Sequence, residues 1–353
     1  MKILVICTRR VGDVFLSTSV IHALRVRYPN AQLDALVFQG TESGLLSNPE
    51  LDHIISIGER IGAREHFRFI YQHFQRYDVA ISLLPGDRPT LYAWLMGKKR
   101  YGTIISRKQS AWKRWVLHDL VEFDGFGRHT LVMYHDIVAN LLGKHKIAPH
   151  IPERLSEGSS YVSEFNSWRF KDRYVVMHLT PKFRYKEWPI TRWREVIQKC
   201  LDHDIGVILS GLLNETESDV LKQLHANDTR VLNLLNRLKI DELVRLIYPA
   251  GCYVGTDTAV THMAAATGNP TVAIFGPSSP LVWGPWPAGH TSDAAPWAQL
   301  GSQSSGNVTL IQGSGSCVPC LQEGCDRHVN SESDCLTQLG SEQVSQAILR
   351  NFQ

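Results

Sequence analysis

Short apolar runs alternate with stretches of helical periodicity along nearly the whole chain. In the first half, Lys2–Cys7, Gln32–Phe38, His53–Ile57, Asp78–Leu83 and Lys99–Ile104 are predicted as strands, short runs of the kind that a parallel sheet buries. Between the first two, Leu16, Val20, Leu24 and Tyr28 recur every fourth residue, one stripe of a helix that Pro29-Asn30 ends. The same periodicity predicts helices at Ala63–Gln75, Arg88–Met96 and Thr130–Leu142. Strands that alternate with helices imply parallel sheets joined by right-handed crossovers.

The rhythm breaks between Ile147 and Glu164, where Pro149, Pro152, Gly158, Ser159 and Ser160 predict an interdomain linker. A second series follows, with strands expected at Tyr174–Leu179, Ile205–Ser210, Val231–Leu234, Cys252–Gly255 and Thr271–Phe275. Trp193, Val196, Ile197, Cys200 and Leu201 keep helical spacing, with Pro189 and Thr191 as lead-in and cap. The expected architecture is α/β: two doubly wound, Rossmann-like domains, 1–155 and 156–340, with a cleft between them and ligands at the strands' carboxyl ends. Gly301–Ser316, rich in Gly and Ser, is predicted as a mobile loop. The closing segment 341–353 is predicted as a helix packing back on the first domain.

Composition narrows the class. The chain has 353 residues, 43% hydrophobic and 20% charged, which excludes a disordered tail, a collagen, a coiled coil and a membrane bundle. Lys and Arg number 37 against 34 Asp and Glu, a net +3. That balance leaves no footprint for nucleic acid and still allows attraction to an anionic ligand or membrane surface. The apolar run at the start is too short for the core of a signal peptide, and no stretch approaches the roughly 18 apolar residues of a membrane span. Cys7, Cys200 and Cys252 stand in apolar surroundings, as reduced core thiols do, so the expected compartment is the cytoplasm.

Three loops at predicted strand ends carry candidate chemistry. After the first strand, Thr8-Arg9-Arg10-Val11-Gly12-Asp13-Val14 has neither the glycine spacing of a dinucleotide site nor the Lys-Ser/Thr of a phosphate loop. It sets a carboxylate at a helix start, where Asp13 either caps the helix or acts as a general base. In the run from Gly255 to Gly268, Asp257 and Thr258 fall at a helix start whose free N–H groups favour a phosphate. Ala259 lets a ligand approach the backbone there, and His262 lies one turn further on. The other reading is a tightly packed βα unit with a capping Asp and a core His. In Thr180–Pro189, the cations Lys182, Arg184 and Lys186 suit an anionic ligand, or a solvated basic loop.

Two further groups need separate readings. Cys317, Cys320, Cys325 and Cys335, with His328 among them, either hold a tetrahedral metal or remain reduced structural thiols. Asp202-His203-Asp204 has the form of a metal-nucleotide motif, but it falls at a strand's amino end and reads as a turn.

Taken together, these loops resemble glycosyltransferase family nine, the ADP-heptose:lipopolysaccharide heptosyltransferases. The resemblance is carried by Val11-Gly12-Asp13-Val14 with Leu16-Ser17-Thr18, by Tyr28-Pro29-Asn30-Ala31-Gln32, by Asn48-Pro49-Glu50-Leu51-Asp52, and by Lys186-Glu187-Trp188-Pro189 before Trp193. Gly255-Thr256-Asp257-Thr258-Ala259 with His262, followed by Phe275-Gly276-Pro277-Ser278, is its most specific part. The first half looks most like the type that adds a branching third heptose to the inner core.

The resemblance implies a GT-B fold and an inverting, single-displacement transfer of heptose from ADP-heptose to the lipopolysaccharide core. The N-terminal domain would then bind the acceptor and the C-terminal domain the ADP-sugar. By position, Asp13 is the general base and Lys186 holds the diphosphate, with Thr180 near it. Asp257 binds sugar hydroxyls, Thr258 and Ala259 meet the phosphates, and His262 lies close by. Arg9, Arg10 and Gly12 are candidates on the acceptor side. No cofactor is implied as required, although a divalent cation could stimulate transfer. The resemblance also implies a monomer at the cytoplasmic face of the inner membrane, which Arg107-Lys108 and Trp112-Lys113-Arg114-Trp115 could touch, or else the two tryptophans pack while the cations face water. The cysteine group is similar to one in relatives that heptosylate proteins and bind iron, so a protein acceptor is the alternative, and a catalytically silent nucleotide-sugar binder a third.

Overall fold

A computed structural model describes residues 1–106, 111–143, 145–152, 155, 161–213, 224, 228–292 and 294–353. Contacts divide the chain into two units, Met1–Glu153 with Thr291–Ala294, and Arg154–His290 with Ala295–Gln353. In the first, β1 (Lys2–Cys7), β2 (Gln32–Phe38), β3 (His53–Ile57), β4 (Tyr77–Ser82), β5 (Gly97–Ile104) and β6 (Asp119–Glu122) form one sheet in the order β3-β2-β1-β4-β5-β6. Every neighbouring pair is parallel. The intervening helices are α1 (Val11–Arg27), α2 (Ala63–His73), α3 (Asp87–Met96), α4 (Ala111–Val116) and α5 (Thr130–Leu142). Leu4, Ile6, Leu36 and Ala80 cover one sheet face with Tyr92, Ala93 and Met96 of α3.

The second unit repeats the plan. Its strands are β7 (Tyr174–His178), β8 (Gly206–Ser210), β9 (Val231–Asn233), β10 (Cys252–Thr256), β11 (Thr271–Phe275), β12 (Gln303–Ser305) and β13 (Val308–Gln312), in the order β12-β13-β11-β10-β7-β8-β9. The helices are α6 (Val162–Ser167), α7 (Ile190–Asp202), α8 (Ile240–Ile247), α9 (Ala259–Thr267), α10 (Pro280–Trp283), α11 (Asp334–Thr337) and α12 (Ser341–Leu349). Successive residues of β7 and β8 feed opposite cores: Val175, Met177, Val207 and Leu209 on one face, Tyr174, Val176 and Ile208 on the other. Burial on both faces explains why these strands read as unbroken apolar runs.

Two expectations are corrected. The segment predicted as a mobile loop contains the hairpin β12–β13, in which β13 pairs parallel to β11. Val308 and Leu310 alternate with Thr309, and that period of two outweighs the glycines and serines around it. In the closing helix, Val344, Ala347 and Ile348 complete the second unit's core beside Val196, Ile197 and Cys200. The end of the expected linker is ordered chain: Tyr161 is buried, and α6 begins at Val162. Gly158, Ser159 and Ser160 lie outside the described residues.

Candidate active site

In each sheet the chain reverses direction across a pair of central strands, β1 and β4 in the first and β7 and β10 in the second. Loops at the carboxyl ends of such strands are where ligands settle in open α/β sheets. The loops named from the sequence follow β1, β7 and β10.

After β1, Arg10 is the residue before α1 and makes no side-chain cap. Asp13 therefore sits inside the first turn instead of capping it, in a position where the helix dipole favours a carboxylate. It is buried, with Tyr134 Oη of α5 donating to Oδ1 at 3.5 Å and Arg9 Nε 3.6 Å from Oδ2. Burial, and then the charge on Asp13, push the Cys7 thiol well up; burial raises the Tyr134 phenol in the same way. Both neighbours stay protonated beside an acceptor carboxylate. Arg9 and Arg10 are exposed and Gly12 half-buried at the same strand end.

After β7 and β10, a tight polar network forms. Lys186 Nζ donates to Asp257 Oδ2 at 2.6 Å, and Ser278 Oγ donates to the same oxygen at 2.6 Å. Burial alone would raise the Asp257 carboxyl; the Lys186 ammonium, with His262 and the two hydrogen bonds, holds it below the usual carboxylate range. Burial pushes His262 down to about 4 against the pull of Asp257, so the ring is neutral at neutral pH. Its Nδ1 is buried without a hydrogen-bond partner among the described residues, as is the Thr256 hydroxyl at the end of β10.

Backbone geometry explains why this corner can be built. Thr258 caps α9, its Oγ1 accepting from Thr261 N at 3.4 Å. Gly268 closes the helix at φ 84. A side chain at Gly255 would place Cβ 2.3 Å from Tyr253 Oη. Thr180 Oγ1 accepts from Leu212 N at 2.7 Å and so ties the β7 loop to the β8 loop.

The sequence reading brought together Lys186, Asp257 and His262, with Thr258 and Ala259 opening α9. It missed the roles of Ser278 and Tyr134. Ser278 ends the quoted Phe275–Ser278 run, so its position was visible although its partner was not. Nothing local could have matched Tyr134 with a carboxylate 121 residues away. In the basic-aromatic stretch, Lys113 is buried and paired with Asp87 at 2.9 Å, while Trp115 is 88% exposed. Helical rotation over α4 turns the lysine inward, where Asp87 and the Pro85 carbonyl satisfy it. Arg107 and Lys108 lie outside the described residues. Asp202 ends α7, and His203-Asp204 form the turn leading to the amino end of β8, with Asp204 at φ 55.

The four C-terminal cysteines lie on one segment. Burial, and then Cys320, Cys325 and Cys317, raise the Cys335 thiol to about 11. The other three cysteines therefore stand near enough to Cys335 to act on its thiol. The segment braces the loops after β7 and β11. Glu332 pairs with Arg184 at 2.5 Å, Ser333 Oγ donates to the Tyr185 carbonyl at 2.7 Å, and Leu321 N donates to the Pro277 carbonyl at 2.9 Å.

Residues 62–299, more than half of the chain, match Glycosyltransferase family 9 (heptosyltransferase). The chain belongs to this family. It is 23% identical over 286 residues to lipopolysaccharide heptosyltransferase 3 of Escherichia coli, covering 78% of this chain and 83% of that protein. The solved structure of E. coli heptosyltransferase WaaC with ADP superposes with a TM-score of 0.70 at 18% identity, covering 99% of this chain and all of that one. The iron-containing dodecameric glycosyltransferase TibC of enterotoxigenic E. coli gives a TM-score of 0.53 at 15% identity, over 99% of this chain and 76% of that one. The fold is GT-B, and this family 9 chain is a glycosyltransferase. No helix among the described residues is long and apolar enough to cross a membrane.

Proposed function

We propose that this glycosyltransferase moves heptose from ADP-heptose to the inner core of lipopolysaccharide by a single, inverting displacement. The observation that carries this reading is the Lys186–Asp257–Ser278 network beside the start of α9, a cation and free helix N–H groups at one strand edge. Lys186 exchanges its contact with Asp257 for the diphosphate, and the first turn of α9 meets the same phosphates. Ser278 and Lys186 engage Asp257 Oδ2, leaving Oδ1 for a sugar hydroxyl. Thr256 Oγ1 and His262 Nδ1 are buried polar atoms that a bound donor would satisfy. ADP leaves with its charge held by this group, so no metal step is needed.

The second unit is assigned the donor and the first the acceptor. Asp13 takes the proton of the acceptor hydroxyl as that oxygen attacks the anomeric carbon, which inverts its configuration. Arg9 and Arg10, exposed at the same strand end, suit phosphates on an inner core. The enzyme acts as a monomer at the cytoplasmic face of the inner membrane. Phe67 and Tyr71 are exposed on α2 and Phe74 just after it, on the element that also exposes Arg64 and Arg68, and Trp115 stands out from α4; aromatic rings near arginines suit an anionic lipid surface. The cysteine segment is read as reduced thiols bracing the donor loops, and divalent cations are read as stimulatory at most.

The deciding experiment offers the purified protein ADP- and UDP-sugars with truncated core acceptors and identifies products by mass. Heptose added from ADP-heptose to a core acceptor supports the reading. Transfer to a polypeptide instead, or binding of ADP-heptose without transfer to either, replaces it.

A further inference from the structure

Three side chains outside the loop after β1 converge in the first unit. His22 lies on α1, Glu50 in the loop after the turn Glu42–Leu45, and His150 in the segment after α5. His22 Nδ1 stands 2.7 Å from Glu50 Oε1, and His150 Nε2 stands 3.8 Å from Oε2. The two imidazoles stack with centroids 4.1 Å apart and 11° between their planes. One ligand atom from each residue lies within 4.8 Å of the others, the single such group among the described residues.

The cluster is held from outside. Glu50 N donates to Asn48 Oδ1 at 2.9 Å, and the Glu50 carbonyl accepts Arg25 Nε and Nη2 at 3.0 and 2.6 Å. His150 N donates to Thr18 Oγ1 at 3.0 Å, and Ala148 N to Ser19 Oγ at 3.1 Å. An ordinary His–Glu ion pair accounts for Oε1. It leaves Oε2 buried without a hydrogen bond among the described residues, and it leaves two imidazoles face to face, where charging both would set like charges together. A cation shared by all three satisfies Oε2 and keeps both rings neutral, the imidazoles turning out of their stack so that each nitrogen points at the ion.

We propose that His22, Glu50 and His150 form a binding site for Zn²⁺ or a similar borderline divalent ion. Imidazole nitrogen and carboxylate oxygen are ligand types for zinc at about 2.0–2.2 Å, so tetrahedral ligands stand roughly 3.4 Å apart. The observed 2.7 and 3.8 Å bracket that spacing. The His22 side chain is 43% exposed, which gives an ion a path from solvent. Three protein ligands leave one position for water. The bound ion clips α1, the loop at 46–52 and the segment at 145–152 together. The inference does not depend on the transfer reaction.

The test is a Co²⁺ titration of the full chain after chelator treatment, followed by Zn²⁺ displacement. The expected result is one equivalent of Co²⁺ with visible d–d bands and no thiolate charge-transfer band, displaced by Zn²⁺. Zn²⁺ should also raise the thermal midpoint. His22→Ala and His150→Gln, checked to unfold in chelator like the parent, should each weaken this equivalent by about tenfold or more. Co²⁺ binding only with thiolate character, no binding, or unchanged affinity in either folded variant overturns the site.

Discussion

The two sheets run through the same strand order about their central pair, yet they carry different chemistry at the edge. The first places one buried carboxylate, Asp13, beside a phenol and an arginine at 3.5 and 3.6 Å. The second places Asp257 against an ammonium and a hydroxyl, both at 2.6 Å. One backbone plan thus sets where the candidate loops fall, and the side chains after each strand decide their chemistry. A carboxylate among protonated neighbours suits proton transfer. One neutralised by lysine suits binding of an anion by exchange.

The sharpest break of this comparison is Asp13→Asn. Turnover should fall by about 10²–10⁴-fold, the range for a positioned general base, with ADP-heptose affinity unchanged. Normal turnover would remove Asp13 from the mechanism. The counterpart, Lys186→Ala, should weaken ADP-heptose binding and turnover together by tenfold or more, on the order of 1.4 kcal/mol or above. It should also lower stability by roughly 1–3 kcal/mol, because Asp257 keeps its burial and loses its cation. Calorimetry and denaturant unfolding separate these two effects, and an unchanged donor affinity would return Lys186 to a purely structural role.

A smaller effect concerns pH. His262 and His135 are buried with values near 4 and 3, and in both burial is the main cause. The unfolded chain takes up protons on these rings near pH 6.5 while the native state does not. Stability is therefore full above that pH and falls as pH drops toward 4, by a few kcal/mol in all. Urea midpoints at pH 7 and pH 5 would show the decline, and His262→Gln should reduce it. The smallest expected effect is Trp115→Ser. Stability should move by less than about 0.5 kcal/mol at so exposed a site, while binding to anionic vesicles weakens. Unchanged vesicle binding would place the membrane contact elsewhere.

Much of this arrangement was legible in the residues. The strands β1, β2, β3 and β11 fall where the apolar runs predict them, and Lys186, Asp257 and Thr258 stand at the strand and helix ends that the pattern assigned. Failures came where a local cue competed with a distant one. Glycines and serines around Val308–Gln312 suggested a loop until β11 offered an edge to pair with. Lys113 reads as a surface cation, yet its side chain is buried and its ammonium reaches an exposed Asp87 on another helix.

By itself the sequence determined the alternation of strands and helices, and with it two parallel sheets whose carboxyl ends carry the candidate residues. That information is local, because periodicity and turn chemistry act over a few residues. Only the tertiary structure decided that Tyr134 faces Asp13, that Ser278 shares Asp257 with Lys186, that the last helix completes the second core, and that His22, Glu50 and His150 meet. Each joins segments far apart in the chain, and hydrogen bonds and ion pairs form at distances that sequence separation does not encode.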